Sequence, residues 1–480
     1  MRVSRLHNNR RKVNLMRKLF SLFVLGALVL GTAGMAHAVD VRATGEFKAS
    51  YTYWGNQDWT KSKADLDQQK HNSMQHRARV HFNFRANENV NMNVGFDIGS
   101  TLWGDEDMGG DISADKTVVK VRRAYLEFKW PTYRSLITTV GTMGVVFPEA
   151  GYFGSAILDD NVTGITVANT WNDNLGTVLG YWRLKDANTS FAGARVSEGD
   201  TALDTALLSV PLTFDGLTLN PFLAVAFLGK NFDGITPDNY PGDESGLVAV
   251  DGSGSLNSQA TPWWIGSGFE IGLFDPFVIF ADFNYGSVSQ KSKNQNRSGW
   301  LADLAVQYNG LSWFVPSLSA WYASGIDSRS SNGDERMPVI SGAWTQSNML
   351  NVGGRLLNDD TGVIAYVGSW GIGAKIESIS FLDDLSHDLA FSFYKGTNSD
   401  KAVRDHGSAL AYGTDLTTKD HVFAIDLSNT YQIMEELSFV ADLGIAWPSF
   451  DKDTWRPSVG NVVDNQTQMW RTSVGFVYEF

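Results

Sequence analysis

Arg77, Arg79, His81 and Arg85 stand at alternate positions of one short stretch, and a β-strand would put all four on one face. Three arginines on one face repel one another unless acids lie close, which favours a use for them beyond solvation. Side chains on one face repeat every ~6.6 Å, so Arg77 and Arg85 stand roughly 26 Å apart and cannot line one ring. Arg79 and His81 suit a common height, with Lys48 from an earlier alternating stretch and Arg122 or Arg123 from a later one. Chemistry that makes or breaks bonds finds little support. There is no Cys, no HExxH and no phosphate-binding loop, and His76, His81, His387, His406 and His421 lack ligand spacing. Asp405, His406 and Ser408 form the one local Ser/His/Asp cluster, and it reads as loop. Gly104-Asp105-Glu106-Asp107 with Asp111 offers oxygen ligands to Ca²⁺ or Mg²⁺ without the spacing of an EF-hand, so solubility is its simpler reading. No cofactor is implied.

The elements that position these groups are strands. From Val41 to Tyr53 the odd positions read Val, Ala, Gly, Phe, Ala, Tyr, Tyr, while the even positions from Arg42 to Thr52 read Arg, Thr, Glu, Lys, Ser, Thr. The same alternation sets Ala78, Val80, Phe82, Phe84 and Ala86 against Arg77, Arg79, His81, Asn83 and Arg85. It returns at Val90–Ile98 and, far along the chain, at Phe277–Tyr285. A period of two puts one class of side chain on each face. Segments of about ten residues, apolar on one face and polar on the other, match tilted strands that cross a thin membrane. A soluble sandwich shares the alternation but not the polar second face on nearly every strand. In lipid such strands are viable only as a closed sheet, because every backbone donor needs a partner.

Loop lengths alternate too. Short turns fall near residues 87–89, 131–133, 172–174, 214–216, 274–276, 309–310, 381–383 and 434–436. Longer polar loops occupy about 55–74, 99–116, 147–161, 185–201, 230–261, 288–297, 325–361, 397–419 and 448–465. Nine long loops and eight short turns require 18 strands, or 16 if the weakly patterned 325–361 stretch is wrongly divided. The fold class is therefore all-β, a transmembrane antiparallel β-barrel. Tyr51, Tyr53, Trp54, Trp130, Trp470, Phe476, Tyr478 and Phe480 fall where aromatic girdles belong.

Residues 1–38 read as a cleaved export signal preceding a single barrel domain, 39–480. They hold seven Lys or Arg and no acid, then an apolar run from Leu19 to Leu30, then Ala36-His37-Ala38. Met16-Arg17-Lys18 offers an alternative start. Removing seven of the 39 Lys and Arg leaves 32 against 52 acids, a net charge of −20, which argues against nucleic acid as a partner.

Val474-Gly475-Phe476-Val477-Tyr478-Glu479-Phe480 resembles the C-terminal signature that outer-membrane assembly machinery reads in bacterial porins. Arg122-Arg123-Ala124-Tyr125-Leu126-Glu127-Phe128-Lys129 resembles the fourth strand of the trimeric general porins. It is followed by Gly141–Phe147 and then Pro148–Gly154, and Asn161-Val162-Thr163-Gly164-Ile165 resembles the start of the sixth strand. The resemblance implies a Gram-negative outer-membrane porin, a homotrimer among lipid and lipopolysaccharide that passes small hydrophilic solutes by passive diffusion. It also implies a third external loop folded inward to narrow the channel. Glu149, Asp159 and Asp160 would then form an acidic side facing a basic side of Lys48, Arg77, Arg79, His81, Arg122 and Arg123. Such a transverse field orders water and disfavours apolar solutes. Two departures stand out: Asn161 replaces a frequent Arg, and the chain is long for 16 strands, leaving room for a substrate-specific channel such as a sugar-selective one. Acidic loops and a basic strand point to opposite signs of charge preference.

Overall fold

The computed structural model describes residues 39–60, 70–112, 116–186, 201–230, 246–247, 258–329, 331–351, 355–356, 363–406 and 410–480. Residues 1–38, read from the sequence as an export signal, lie outside them. The wall begins with β1 (Asp40–Gly55), β2 (Lys70–Asn87), β3 (Val90–Leu102), β4 (Val119–Lys129), β5 (Leu136–Val146) and β6 (Asp159–Asn172). It continues with β7 (Leu175–Asp186), β8 (Ala202–Ser209), β9 (Leu212–Phe214), β10 (Leu217–Leu228), β11 (Trp263–Phe274) and β12 (Phe277–Val288). It ends with β13 (Arg297–Tyr308), β14 (Val315–Ala323), β15 (Ser369–Leu382), β16 (Leu385–Gly396), β17 (His421–Met434), β18 (Leu437–Ser449) and β19 (Met469–Glu479). β8 and β9 both pair with β7 and β10 and are one wall strand interrupted at Val210-Pro211, where proline supplies no N–H. The wall is thus an 18-stranded antiparallel barrel.

Neighbours in sequence are neighbours in the sheet, and β1 closes the ring by pairing with β19 from Glu46↔Glu479 to Gly55↔Trp470. Gly45 and Phe480 complete that seam by exchanging backbone hydrogen bonds of 2.9 and 3.0 Å. The described residues of the 325–361 stretch add no wall strand, and the count is 18 rather than 16.

Alternation along each strand separates two environments. Leu223, Ile265, Phe283, Leu304, Leu318 and Ile372 are exposed on the outer face. Their chain neighbours Ala224, Trp264, Asp282, Asp303 and Ser319 are buried inside the ring. A belt of exposed aliphatic and aromatic side chains around a closed sheet is the surface a bilayer covers. At the long-loop end its rim carries contacting rings, Trp263–Tyr285, Trp300–Tyr322, Trp370–Phe393, Phe423–Trp447 and Tyr53–Trp470. At the short-turn end stand Phe277–Tyr308 and Tyr478–Phe480. Trp54 departs from the girdle assignment. It sits on the inward parity of β1, 1 % exposed, with the Arg471 guanidinium 4.9 Å from its ring centroid.

The long-loop end is packed. Trp59 is fully buried, donates its indole N–H to the Gly413 carbonyl at 2.9 Å and touches Phe450. Tyr412 contacts Phe450 and Trp455, and Trp455 donates to Asp420 Oδ2 at 2.9 Å. Loops one, eight and nine thereby share one apolar knot.

Candidate functional site: a charged lumen

The basic wall is built by register. Across β1 and β2, Lys48 faces Arg77 and Glu46 faces Arg79; across β2 and β3, Arg79 faces Asp97. Glu46 gathers three cations: Lys48 Nζ at 3.0 Å, Arg79 Nη1 at 3.8 Å and Arg77 Nη2 at 3.9 Å. Asp97 Oδ2 accepts from Arg79 Nε at 3.2 Å. The carboxylates that relieve the arginine row are therefore Glu46 and Asp97 on the flanking strands, which the sequence reading did not single out. Same-face parity was the signal available for both.

Arg122 and Arg123 share one level because the pairing with β3 slips there. Gly95 faces Arg123 while Phe96 faces Val121, leaving Arg122 as the extra residue of a bulge. Arg122 lies within electrostatic reach of Arg79, Asp97 and Arg77, so it joins the basic wall. Arg123 behaves differently. Pairing of β4 with β5 stops at Ala124↔Thr142, and beyond that point Arg123 Nε donates to Asn161 Oδ1 at 2.8 Å. Its guanidinium lies over Gly144, where a methyl group would come within 2.4 Å of Nη2. Asn161, the departure from the general-porin pattern, thus receives an arginine instead of supplying one. His81 stands beside Arg79, Arg122 and Arg123.

The third loop, between β5 and β6, does turn inward. Tyr152 Oη meets Ser317 Oγ on β14 at 2.8 Å, its ring contacts Phe280 on β12, and Lys375 Nζ on β15 lies 4.9 Å from the same ring. A loop leaving β5 reaches those strands only by crossing the ring. Gly268 on β11 makes the landing, since a methyl group there would stand 2.3 Å from the Glu149 carbonyl carbon.

The three sequence-selected acids do not form one group. Asp159 lies near Arg123 and Arg122. Asp160 accepts from Ser341 Oγ at 3.1 Å and from the Asn161 N–H. Glu149 is carried to the far wall, in reach of Asp282 and Asp303, and its carboxylate accepts the Gly151 N–H.

The described residues of a second loop, between β14 and β15, also enter the lumen, and sequence reasoning missed this. Met337, Trp344, Met349 and Leu350 are buried. Pro338 accepts the Trp264 indole N–H at 2.7 Å, and Trp344 donates its own to Asp303 Oδ2 at 2.9 Å. The loop has no period to read, because its apolar residues answer to points on six or more wall strands rather than to a repeat. Among the described residues no three His, Cys, Asp or Glu come together as metal ligands. In the acidic second loop Asp105 Oδ1 accepts the Asp107 and Met108 N–H groups, and Glu106 pairs with Lys116 at 3.0 Å.

The outcome is an asymmetric lumen. Side chains of Lys48, Arg77, Arg79, Glu46 and Asp97 retain 15–24 % exposure, while Asp282, Asp303, Asp426 and Asp442 are covered to 4–6 % by the two loops. Fold and lumen together define a porin-type membrane barrel.

Solved structures support that class. The chain is similar to Pseudomonas aeruginosa OccK8 (OprE), with TM-score 0.52, 11% identity, and coverage of 92% of this chain and 98% of that one. It is also similar to P. aeruginosa OccK11 (OpdR), with TM-score 0.50, 11% identity and coverage of 92% and 96%. The P. aeruginosa outer membrane protein OprD gives TM-score 0.50, 11% identity and coverage of 91% and 94%. At such identity the likeness is one of fold. No protein-family model matches the chain, and no curated protein matches it in sequence. The resemblance to general porins therefore holds at the level of the porin barrel.

Proposed function

We propose that the chain is a Gram-negative outer-membrane channel selective among small hydrophilic solutes, favouring anionic ones, rather than an open general-diffusion pore. The observation that carries this reading is the asymmetric lumen: two inward loops cover the wall from β10 to β19, while the charged wall of β1–β4 keeps partial access to solvent. A solute following that wall meets Lys48, Arg77, Arg79 and Arg122 against Glu46 and Asp97, with His81 beside them. Guanidinium groups hold carboxylate or phosphate oxygens in charge-assisted pairs, and a narrow channel with one prevailing sign selects by field and width. No bond is made or broken. Lipid and lipopolysaccharide surround the wall in this reading, and the assembly machinery reads Phe480.

The test is single-channel recording of the refolded barrel in planar bilayers, with reversal potentials in a salt gradient. Small steps with an anion-selective reversal potential, shifted toward cations by Arg79→Ala with Arg122→Ala, are the expected result. Large unselective steps unaffected by those substitutions would return the chain to general diffusion. The same records read the assembly, since a trimer closes in threes.

A further inference from the structure

The Trp344–Asn351 segment of the seventh loop lies as a strap across the inner wall, held by polar contacts to four wall strands and by Trp344 packed on Trp321 of β14. At one end Trp344 donates to Asp303 on β13 at 2.9 Å. Further on, Ser347 Oγ donates to Asp426 Oδ2 on β17 at 2.6 Å and the Met349 N–H to Asp426 Oδ1 at 3.0 Å. Arg471 on β19, its guanidinium resting on Trp54, donates to the Asn348 carbonyl at 2.9 Å. Ser319 on β14 donates to Gln346 Oε1 at 2.9 Å. Asp303 and Asp426 are 6 % and 5 % exposed, and the groups they accept from on the strap are neutral. At this depth, losing one side of a hydrogen bond leaves the donor or acceptor on the other side unmet, which costs more than the bond itself contributes. The wall is bare where the strap needs room. A methyl group on Gly373 would stand 2.1 Å from Gln346 Nε2, and one on Gly444 2.7 Å from Met349 Sδ.

The third loop in turn rests on the seventh. Thr345, Ala343 and Ser341 donate backbone N–H groups to the carbonyls of Phe153, Ser155 and Ile157 at 2.8, 2.9 and 3.0 Å. Tyr366 Oη donates to the Ala156 carbonyl at 2.9 Å, Asp159 donates back to Ser341 at 2.7 Å, and Phe153 stacks on Trp344 at 5.0 Å. Buried backbone groups must be paired, and this stretch of the third loop finds its partners on the seventh, at the first residues of the strap and on the segments that flank it.

We infer that Asp303, Asp426 and Arg471 are positioning residues for the narrow part of the channel: they seat the seventh-loop strap, and the strap seats the third loop. Width and selectivity along the β1–β4 wall are then set from the opposite side of the barrel, by residues that touch no solute. The inference rests on the channel reading above.

Three variants in planar bilayers test it, with folding checked by heat-shifted electrophoretic mobility. Asp303→Ala with Asp426→Ala should enlarge the single-channel step by roughly half or more and weaken anion selectivity. Asp303→Asn with Asp426→Asn keeps one acceptor oxygen on each side chain, for the Trp344 indole N–H and the Met349 N–H, and lets the Ser347 hydroxyl turn to accept from the new amide, so it should stay closer to wild type than the alanine pair. Gly444→Leu, which occupies the Met349 seat and leaves both carboxylates in the chain, should act like the alanine pair and stands in for it if that pair does not fold. A conducting wild type whose alanine and Gly444→Leu variants give unchanged steps and selectivity overturns this inference alone. An asparagine pair as open as the alanine pair also overturns it, since charge rather than seating would then be at work. A folded wild type that does not conduct removes the channel reading and the inference together.

Discussion

Arg336 holds two carboxylates at once. Its Nη2 lies 2.7 Å from Asp334 Oδ2 and its Nη1 3.1 Å from Asp415 Oδ1, with all three side chains under a tenth exposed. Arg297 adds a contact of 3.7 Å to Asp334, so one cluster ties loop seven to loop eight and to the top of β13. Burial alone would raise the Asp334 pKa, but Arg336 and Arg297 outweigh it and hold the carboxyl below its usual range. A depressed folded-state pKa adds stability that is complete above the ordinary value of about 3.9 and is lost as pH falls through the depressed one. Asp415 carries the opposite sign, since burial pushes it up despite Arg336. In an Asp415→Asn background, the protection of amides 331–351 against hydrogen exchange, relative to free amides at the same pH, should therefore hold down to the bottom of the carboxylate range and fall only below it. Protection that is already lost between neutral pH and the ordinary carboxylate range would assign the tether to another group. At this scale the sequence was legible wherever parity alone decides. Lys48, Arg77, Arg79 and His81 share a face as the alternation requires. Arg122 and Arg123 could not be resolved, because a bulge breaks the parity, and the separation of Glu149 from Asp159 depends on a loop path that no period records.

Strands and loops were legible to very different degrees. Each wall strand carries its own evidence, since lipid on one side and polar lumen on the other enforce a repeat of two. The loops carry theirs in pieces. Trp59, Tyr412, Phe450 and Trp455 come from three separate loops, and nothing local in any of them announces the knot they form. Trp344 is likewise read only against Asp303 and Phe153. The knot at the long-loop end makes a separable element. Removing a fully buried tryptophan costs about 3–5 kcal/mol when its site cannot collapse. Trp59→Ala should therefore loosen loops one, eight and nine and leave the wall intact, because no wall hydrogen bond depends on that ring. Limited proteolysis should cut the variant within 410–420 or 450–468 while the heat-shifted band of the folded barrel persists. Loss of that band would mean the knot supports the sheet itself.

Taken whole, the barrel distributes its cohesion evenly. Every strand is hydrogen-bonded on both sides, the outward belt is apolar all the way round, and each junction but one joins segments adjacent in the chain. The exception, β1 with β19, has the same antiparallel form and a ladder as long as that of β18 with β19. A ring of this kind does not depend on which link is counted first. A gene rearranged to open in the sixth loop, 289–296, with a glycine linker bridging Phe480 to the start of β1 at Asp40, would spell the same wall in a different order. If the permuted chain refolds to the native heat-shifted band with unchanged single-channel steps, the β1–β19 seam is a join like any other. If it fails where a nicked but unpermuted chain succeeds, that seam is where assembly has to begin.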